Sequence, residues 1–463
     1  MRTKPLSSLL ALSLLGLAMG QAQAQENSPE NHHSGGDNAV TSGTGFNPAI
    51  SVILDGVFSR SSREVEEPAG FGDGDEHGHG HGHGEEGHSH GVEEGFQLRE
   101  AELVLSGPVD PYFDMMVQVG VTPSEVELEE AYLQTRALPY GLQLKGGQFL
   151  SDIGYINKQH IHDWDFVDQP WMREFLFGDE GLSDTGVQLS WVAPTAFYSR
   201  FGLEVLEGDN EGVANYVGEE EVSLSSVNQN PDGTPQPVEF EADNGLEDKS
   251  GPRLFTAFAK FAPDLGYDRA LQLGVFGGHA TLYQEQEFHS DGELETLEGD
   301  SWFAGVDAVY KYSGGGAMGQ GDFTLQGEYT LRTKELKFTE RSFINSEEFG
   351  PPEEEVDLRF KQDALYVQGL YGFAPRWNAG VRVDAAGLTN DSFEGSEPQD
   401  AGASFRYTGQ VSFAPTEFSR IRAQLSYNDL DHGHEDDHGH EPGAWQFFLQ
   451  YNLSLGQHGA HAF

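Results

Sequence analysis

From about residue 48 onward the chain repeats one pattern, an apolar residue followed by a polar one. Trp445, Phe447, Leu449, Tyr451, Leu453 and Leu455 share one side of an extended segment, with Gln446, Gln450, Asn452 and Ser454 on the other. Phe323, Leu325, Tyr329 and Leu331 alternate with Thr324, Gln326, Glu328 and Arg332, and Ile421, Ala423, Leu425 and Tyr427 alternate with Arg420, Arg422, Gln424 and Ser426. A period of two predicts strands with unlike faces, because a helix would gather residues three to four apart. Segments of this kind fall at 48–58, 96–106, 111–121, 127–137, 141–150, 184–193, 197–206, 252–262, 269–283, 301–312, 322–333, 360–373, 377–387, 403–414, 418–428 and 444–456, sixteen in all. Their length of about ten residues is what a tilted strand needs to cross a bilayer.

The connections divide into two classes. Those after even strands are short, with Gly107-Pro108, Leu138-Pro139, Ala193-Pro194, Ala262-Pro263, Ala374-Pro375 and Ala414-Pro415 at the turns, and the Gly-rich stretch 313–321 fills the remaining even slot. Proline presets a turn and cannot donate to a strand ladder, so it ends each strand. Those after odd strands are long, at 59–95, 151–183, 207–251, 284–300, 334–359, 388–402 and 429–443, with 122–126 the short exception. Short turns on one side and long loops on the other predict an all-β, transmembrane antiparallel barrel of about 16 strands, with periplasmic turns and extracellular loops.

The ends and the composition agree with export to an outer membrane. Arg2 and Lys4, the apolar run Leu6 to Met19 and Ala22-Gln23-Ala24 predict a signal peptide over 1–24, followed by a flexible polar segment at 25–46 and the barrel at 47–463. The chain has no cysteine, which excludes disulfides, thiolate metal sites and cysteine nucleophiles. It carries 59 Gly, 31 Phe and 16 Tyr, suited to tight turns and aromatic girdles. A formal net charge of −50 argues against nucleic acid as a partner. The sequence pI near 4.4 and mean hydropathy of −0.50, with no second apolar stretch of about 20 residues, argue against a helical membrane protein.

With its export segment, alternating strands, Ala-Pro turns and terminal Phe463, the chain resembles the porin-type outer-membrane proteins. Phe46-Asn47-Pro48-Ala49-Ile50 and the stretch Gly147 to Gly154 are similar to proteobacterial proteins described as zinc-regulated outer-membrane receptors. That resemblance implies a role in zinc uptake under metal limitation, and 16-stranded porins are usually homotrimers. A TonB-dependent receptor would need a plug domain and a 22-strand wall, and only about twenty residues separate the export segment from the first strand.

Several residue groups carry candidate chemistry. His77, His79, His81, His83, His88 and His90 stand among Gly, Asp and Glu in one external loop, and His432, His434, His438 and His440 stand in another. Imidazole and carboxylate suit Zn2+ or another divalent transition metal, and the loose spacing suits several exchangeable sites. The first and last strands of a closed barrel must pair, so the two loops are expected to rise side by side. In the third external loop, His160, His162, Asp163, Asp165 and Asp168 are candidates for a constriction. Arg382, Arg406, Arg420 and Arg422 are expected to face them across the lumen. Acidic loops 207–251 and 334–359 would gather cations at the mouth. Inward acids and bases are near balance, which disfavours an anion-specific pore. No nucleophile elbow, phosphate loop or metalloprotease motif is present, so no enzyme is expected. The expected function is a porin-like channel for divalent cations, zinc first, whose partners are outer-membrane lipid and metal ions. The alternatives are an energised receptor and a surface metal-binding or adhesion barrel without transport.

Overall fold

The computed structural model describes residues 48–63, 65, 67–71, 92, 94–229, 235–289, 292–345, 348–394, 397–431 and 443–456. The expected export segment, the lead-in and both His-rich groups lie outside these residues. The strands are β1 (Ala49–Ser61), β2 (Gly95–Pro108), β3 (Phe113–Val121), β4 (Val126–Thr135), β5 (Leu142–Leu150), β6 (Ser183–Val192), β7 (Tyr198–Leu206), β8 (Glu221–Gln229), β9 (Pro235–Asp243) and β10 (Leu254–Ala262). They continue with β11 (Arg269–Phe288), β12 (Glu293–Tyr312), β13 (Phe323–Asn345), β14 (Glu348–Phe349), β15 (Glu354–Ala374), β16 (Trp377–Glu394), β17 (Glu397–Asp400), β18 (Ser404–Thr416), β19 (Ser419–Asp429) and β20 (Ala444–Gly456). One helix, α1, spans Trp171–Phe177.

Sixteen of these strands form one closed antiparallel ring: β1 to β7, β10 to β13, β15, β16 and β18 to β20. β20 pairs with β1, from Ser51 opposite Gly456 to Ser61 opposite Gln446, so the ring has no free edge. Each of the sixteen expected segments has its strand. β8 and β9 form a separate hairpin, and β14 and β17 are short additions to the external ends of β13 and β16.

The wall is inside-out relative to a water-soluble protein. Leu144, Val275, Val306, Val381 and Leu449 point outward and are exposed, while Gln188, Glu204, Gln326, Arg382 and Gln450 are buried on the inside. Aromatic side chains ring the outer surface at both ends, with Tyr112, Tyr140 and Trp377 by the short turns and Phe96, Trp302 and Trp445 toward the long connections. These features define a transmembrane barrel.

The wall is tall on one side. β11, β12, β13 and β15 are 20, 20, 23 and 21 residues long, against 9 each for β3, β5, β7 and β10. Most of the residues expected as open loops at 284–300 and 334–359 are therefore strand. The physical reason is a reversal of polarity. In β13 the apolar side chains Leu325 and Tyr329 face outward, but beyond Thr333 it is Leu336 and Phe338 that are buried, with Glu335 and Lys337 outward. Leu336, Phe338, Leu358, Phe360 and Tyr283 pack into a cluster of their own. A strand facing lipid exposes its apolar side, and the same strand in water buries it. The lipid-face pattern stops where the bilayer stops, and the ladder does not.

Candidate functional site

After β5 the chain turns into the barrel. Residues 151–182 cross the lumen, and α1 forms between Pro170, at the capping position, and Gly178 with φ 84°. Ile153, Ile156, Trp171, Met172, Leu176 and Phe177 of this segment pack with Phe258, Phe276, Phe303, Tyr366 and Ala386 of the wall. Phe177 meets Phe303 edge-on, at 5.1 Å between ring centres. A run with this much apolar surface cannot remain a hydrated external loop, and the lumen is where it is buried.

The far wall holds the segment by its backbone. Arg382 donates to the Asp168 carbonyl (2.8 Å), Arg406 to the Gln169 carbonyl (2.7 Å), Arg420 to the His162 carbonyl (2.6 Å) and Arg422 to the Trp164 carbonyl (2.7 Å). Asp168 pairs with Arg382 at 2.8 Å and with Arg406 at 2.9 Å. Burial would raise the Asp168 carboxyl, but the two guanidinium groups outweigh it and hold its pKa at about 2. Asp384 pairs with the same two arginines and accepts the Trp171 amide at 3.1 Å. From β13, Glu328 accepts the amides of Tyr155 (3.1 Å) and Ile156 (2.7 Å). These contacts correct the expected constriction. The segment and the four arginines do not oppose each other across water; they are in contact, Asp168 with Arg382 and Arg406, and all four arginines are anchors. A guanidinium presents several donors in a fixed fork, so one side chain can satisfy a carboxylate and a carbonyl together.

The opposite flank of the segment is wet. Beneath it, on the short-turn side, lies a cavity of about 1090 Å3 roofed by Lys158, His160, His162, Asp163 and Asp165. Its wall carries charges of both signs: Glu102 and Glu130 on β2 and β4, Lys145, Arg200 and Lys311 on β5, β7 and β12, Arg420 on β19, and Asp152 paired with Arg200 at 2.6 Å. His160 bridges Glu130 (Nε2 to Oε1, 2.8 Å) and Glu129 (Nδ1 to Oε2, 3.1 Å). His162 meets Glu102 at 2.8 Å and Asp163 at 3.2 Å, and its ring stacks on that of His160 with centroids 6.0 Å apart. Burial opposes charge on His160, but its bonds to Glu129 and Glu130 hold the imidazolium pKa well above the ordinary value. Burial raises the Asp165 carboxyl against Arg422 and Arg420, and Asp165 accepts a 3.2 Å bond from Gln368.

Two residues here escape a strict alternation, Arg99 and Glu129. Asp55 lies opposite Glu100 and Gly56 opposite Leu98, so Arg99 is an extra residue; Glu129 is the extra residue between Leu128 and Glu130. Such bulges turn two consecutive side chains to the same side. Arg99 thereby reaches Asp55 in a buried pair and donates to the Val167 carbonyl at 2.6 Å. The signal was available in the adjacent charges Arg99-Glu100 and Glu129-Glu130. One of each pair would otherwise face lipid, at roughly 2–4 kcal/mol for a cation near mid-bilayer.

The external stems of the His-rich groups are adjacent, since Ser62 donates to the Trp445 carbonyl at 2.8 Å and Ala69 to the Asp431 carbonyl at 3.2 Å. Among the described residues two groups place histidine and carboxylate ligand atoms within 4.8 Å of one another. One is Glu102, Glu129 and His160 inside the barrel. The other is Glu287, His289 and Glu295, at the more exposed outer tip of β11 and β12.

Closed ring, lipid-facing band and in-folded third segment define the class as a sixteen-stranded transmembrane β-barrel with an internally braced lumen. No protein-family profile matches the chain. It belongs to the same family as an uncharacterized protein of Aquifex aeolicus (strain VF5), with 34% identity over 437 residues that cover 90% of this chain and 80% of that one. Among solved structures it is similar to outer-membrane-expressed OmpT of Vibrio cholerae (TM-score 0.45, 11% identity, 88% of this chain and 97% of that one). It is also similar to the outer-membrane channel DcaP of Acinetobacter baumannii (0.47, 10%, 88% and 96%) and to the anion-selective porin from Comamonas acidovorans (0.47, 8%, 88% and 99%). At such TM-scores, the architecture rests on the chain's own strand ladder.

Proposed function

We propose that this barrel is an outer-membrane channel of the porin type for small hydrated cations, divalent transition-metal ions first among them. The observation that carries the reading is the polar vestibule, walled by carboxylates, amines and guanidinium groups and roofed by two histidines. Opposed charges favour hydrated, polar solutes, and the carboxylate side offers cations a path. Histidine–carboxylate groups at the outer tip and inside the lumen fit a route along which a metal ion exchanges ligands. The His-rich groups His77 to His90 and His432 to His440 rise from neighbouring stems and would extend that route outward. The short wall of β3 to β7 leaves a low, apolar flank on which three copies could meet as a homotrimer.

A second reading has its own support. The apolar cluster and the arginine bonds fill the far half of the lumen, which suits a closed barrel that displays metal-binding loops without conducting. Planar-bilayer recording on the purified protein separates the two. Open-channel steps with cation preference support the channel. Persistent silence from folded protein overturns it in favour of the display barrel.

A further inference from the structure

We propose that Glu102, Glu129 and His160 form a lumenal site for a single divalent first-row transition-metal ion, at the point where the in-folded segment meets the β2–β4 wall. The site stands on its own geometry; only its bearing on ion passage rests on the channel reading.

The ligand set comes from three separate elements: Glu102 from β2, Glu129 from β4 and His160 from the segment. One ligand atom from each lies within 4.8 Å of the other two. With the His160 proton displaced by the ion, two carboxylates and a neutral imidazole would cancel the charge of a divalent cation, in a donor set common to zinc and its first-row neighbours. Three protein ligands leave a position for water or for an exchanging ligand.

Each ligand is also oriented from behind. Glu130 holds His160 Nε2 at 2.8 Å, and Nδ1 faces Glu129 Oε2 at 3.1 Å, a contact that an ion bound by both would replace. His162 Nδ1 holds Glu102 Oε2 at 2.8 Å. Gln118 donates to Glu129 Oε2 at 2.7 Å. Outer partners of this kind fix the ring and carboxylate orientations that a metal requires.

An independent observation points to a missing partner. Glu102 is 3% exposed, and its Oε1 has no hydrogen-bond partner. A buried carboxylate oxygen left unsatisfied is costly, and a cation would complete it. The backbone makes room for the crowd of carboxylates. At Gly120 of β3, a Cβ would press on Glu100 Oε1 and Glu129 Oε1, so a larger residue there would push both carboxylates out of their present positions. The bulge that turns Glu129 inward does the rest. Glu100, Glu102, Glu129 and Glu130 are gathered here on the neighbouring strands β2 and β4 around β3.

The test uses Co2+ as probe, on the purified full-length barrel in detergent, by visible absorption and equilibrium dialysis. Wild-type protein is compared with Glu102→Gln, His160→Gln and the outer-partner variant Glu130→Gln. The shift between unheated and heated bands on a gel reports that each barrel is folded. The expected result is loss of one Co2+ equivalent, with its own absorption bands, in the first two variants. In Glu130→Gln the site should be retained but bind about 10–100-fold more weakly. The His-rich groups contribute equally in all four proteins and cancel in the comparison. Identical stoichiometry and spectra in folded wild type, Glu102→Gln and His160→Gln would overturn the site. Bilayer recordings on the same samples keep the two ideas apart. Conductance without this equivalent sinks the site and spares the channel, and the equivalent without conductance does the reverse.

Discussion

The two halves of the lumen are built from the same kinds of residue and do opposite things. Toward β10–β18, Arg332, Arg382, Arg406 and Asp384 are consumed by the crossing segment, and phenylalanine rings fill the space between. Toward β2–β5 and β7, Glu102, Glu130, Lys145 and Arg200 border the vestibule of about 1090 Å3, touched from above by two histidines. The difference lies in what each charge is offered. On the first side the segment brings carbonyls and an aspartate to meet the arginines. On the second it brings imidazoles to meet carboxylates and leaves polar atoms such as Glu102 Oε1 without a protein partner. An inward charge thus becomes a brace or a ligand according to what the loop above it carries.

The largest effect should come from removing the braces. Arg382→Ala combined with Arg406→Ala leaves Asp168 and Asp384 buried without counter-charges, a loss of about 3–5 kcal/mol for a broken buried pair. The segment should undock, conductance should rise, and a protease should cut within 151–182 while the barrel keeps its heat-shifted mobility. Unchanged conductance together with protease resistance would erase the proposed division of the lumen.

Phe177→Ala should act in the same direction through packing alone. Its ring is buried against Phe303, and a Phe-to-Ala cavity costs roughly 3–5 kcal/mol where the surroundings cannot collapse. Cleavage within the segment should follow, with no change in ion preference.

Acid offers a milder probe of the braced half. The Asp168 pKa is held at about 2, below the roughly 3.9 of an unfolded aspartate. A depressed carboxylate contributes stability that is present above its unfolded value and lost as pH falls through its folded one. Bringing the recording buffer from pH 7 to pH 4 should therefore leave this contact whole, and loosening should begin only toward pH 2. Protease sensitivity within the segment that appears already at pH 4 would show that Asp168 is not the anchor.

Beside the vestibule, Glu130→Gln should lower cation preference, as reversal potentials would show. The smallest effect is expected outside the lumen altogether. Lys337 and Glu355 pair at 2.9 Å, about half exposed, and Glu355→Gln should cost less than about 1 kcal/mol. A larger loss by thermal melt would mean that the tall wall is less independent of the lumen than its separate apolar cluster indicates.

Much of the barrel was legible in the chain before any coordinates. Period-two segments and proline turns set the sixteen strands, because lipid outside and water inside impose opposite faces at every crossing. The crossing segment was legible in part: its charged residues were expected at a constriction in the lumen, but not the backbone contacts that Arg382 and Arg422 make with it there. Strand ends above the bilayer were not legible, since Leu336 and Phe338 reverse the phase that marked the strand below them. Arg99 and Glu129 were hidden by bulges, which shift phase by one residue without any required residue type.

What the sequence determined by itself was therefore the wall: antiparallel, inside-out, short-turned at one end. Only the tertiary structure decided which inward charges meet. Alternation assigns a side chain to a face, whereas partnership depends on ring position and on the path of a segment that joins neither of the strands it braces. That is why Asp168 meets Arg382, more than 200 residues away, while His160 meets Glu129 and Glu130 on β4, beside the strand it has just left.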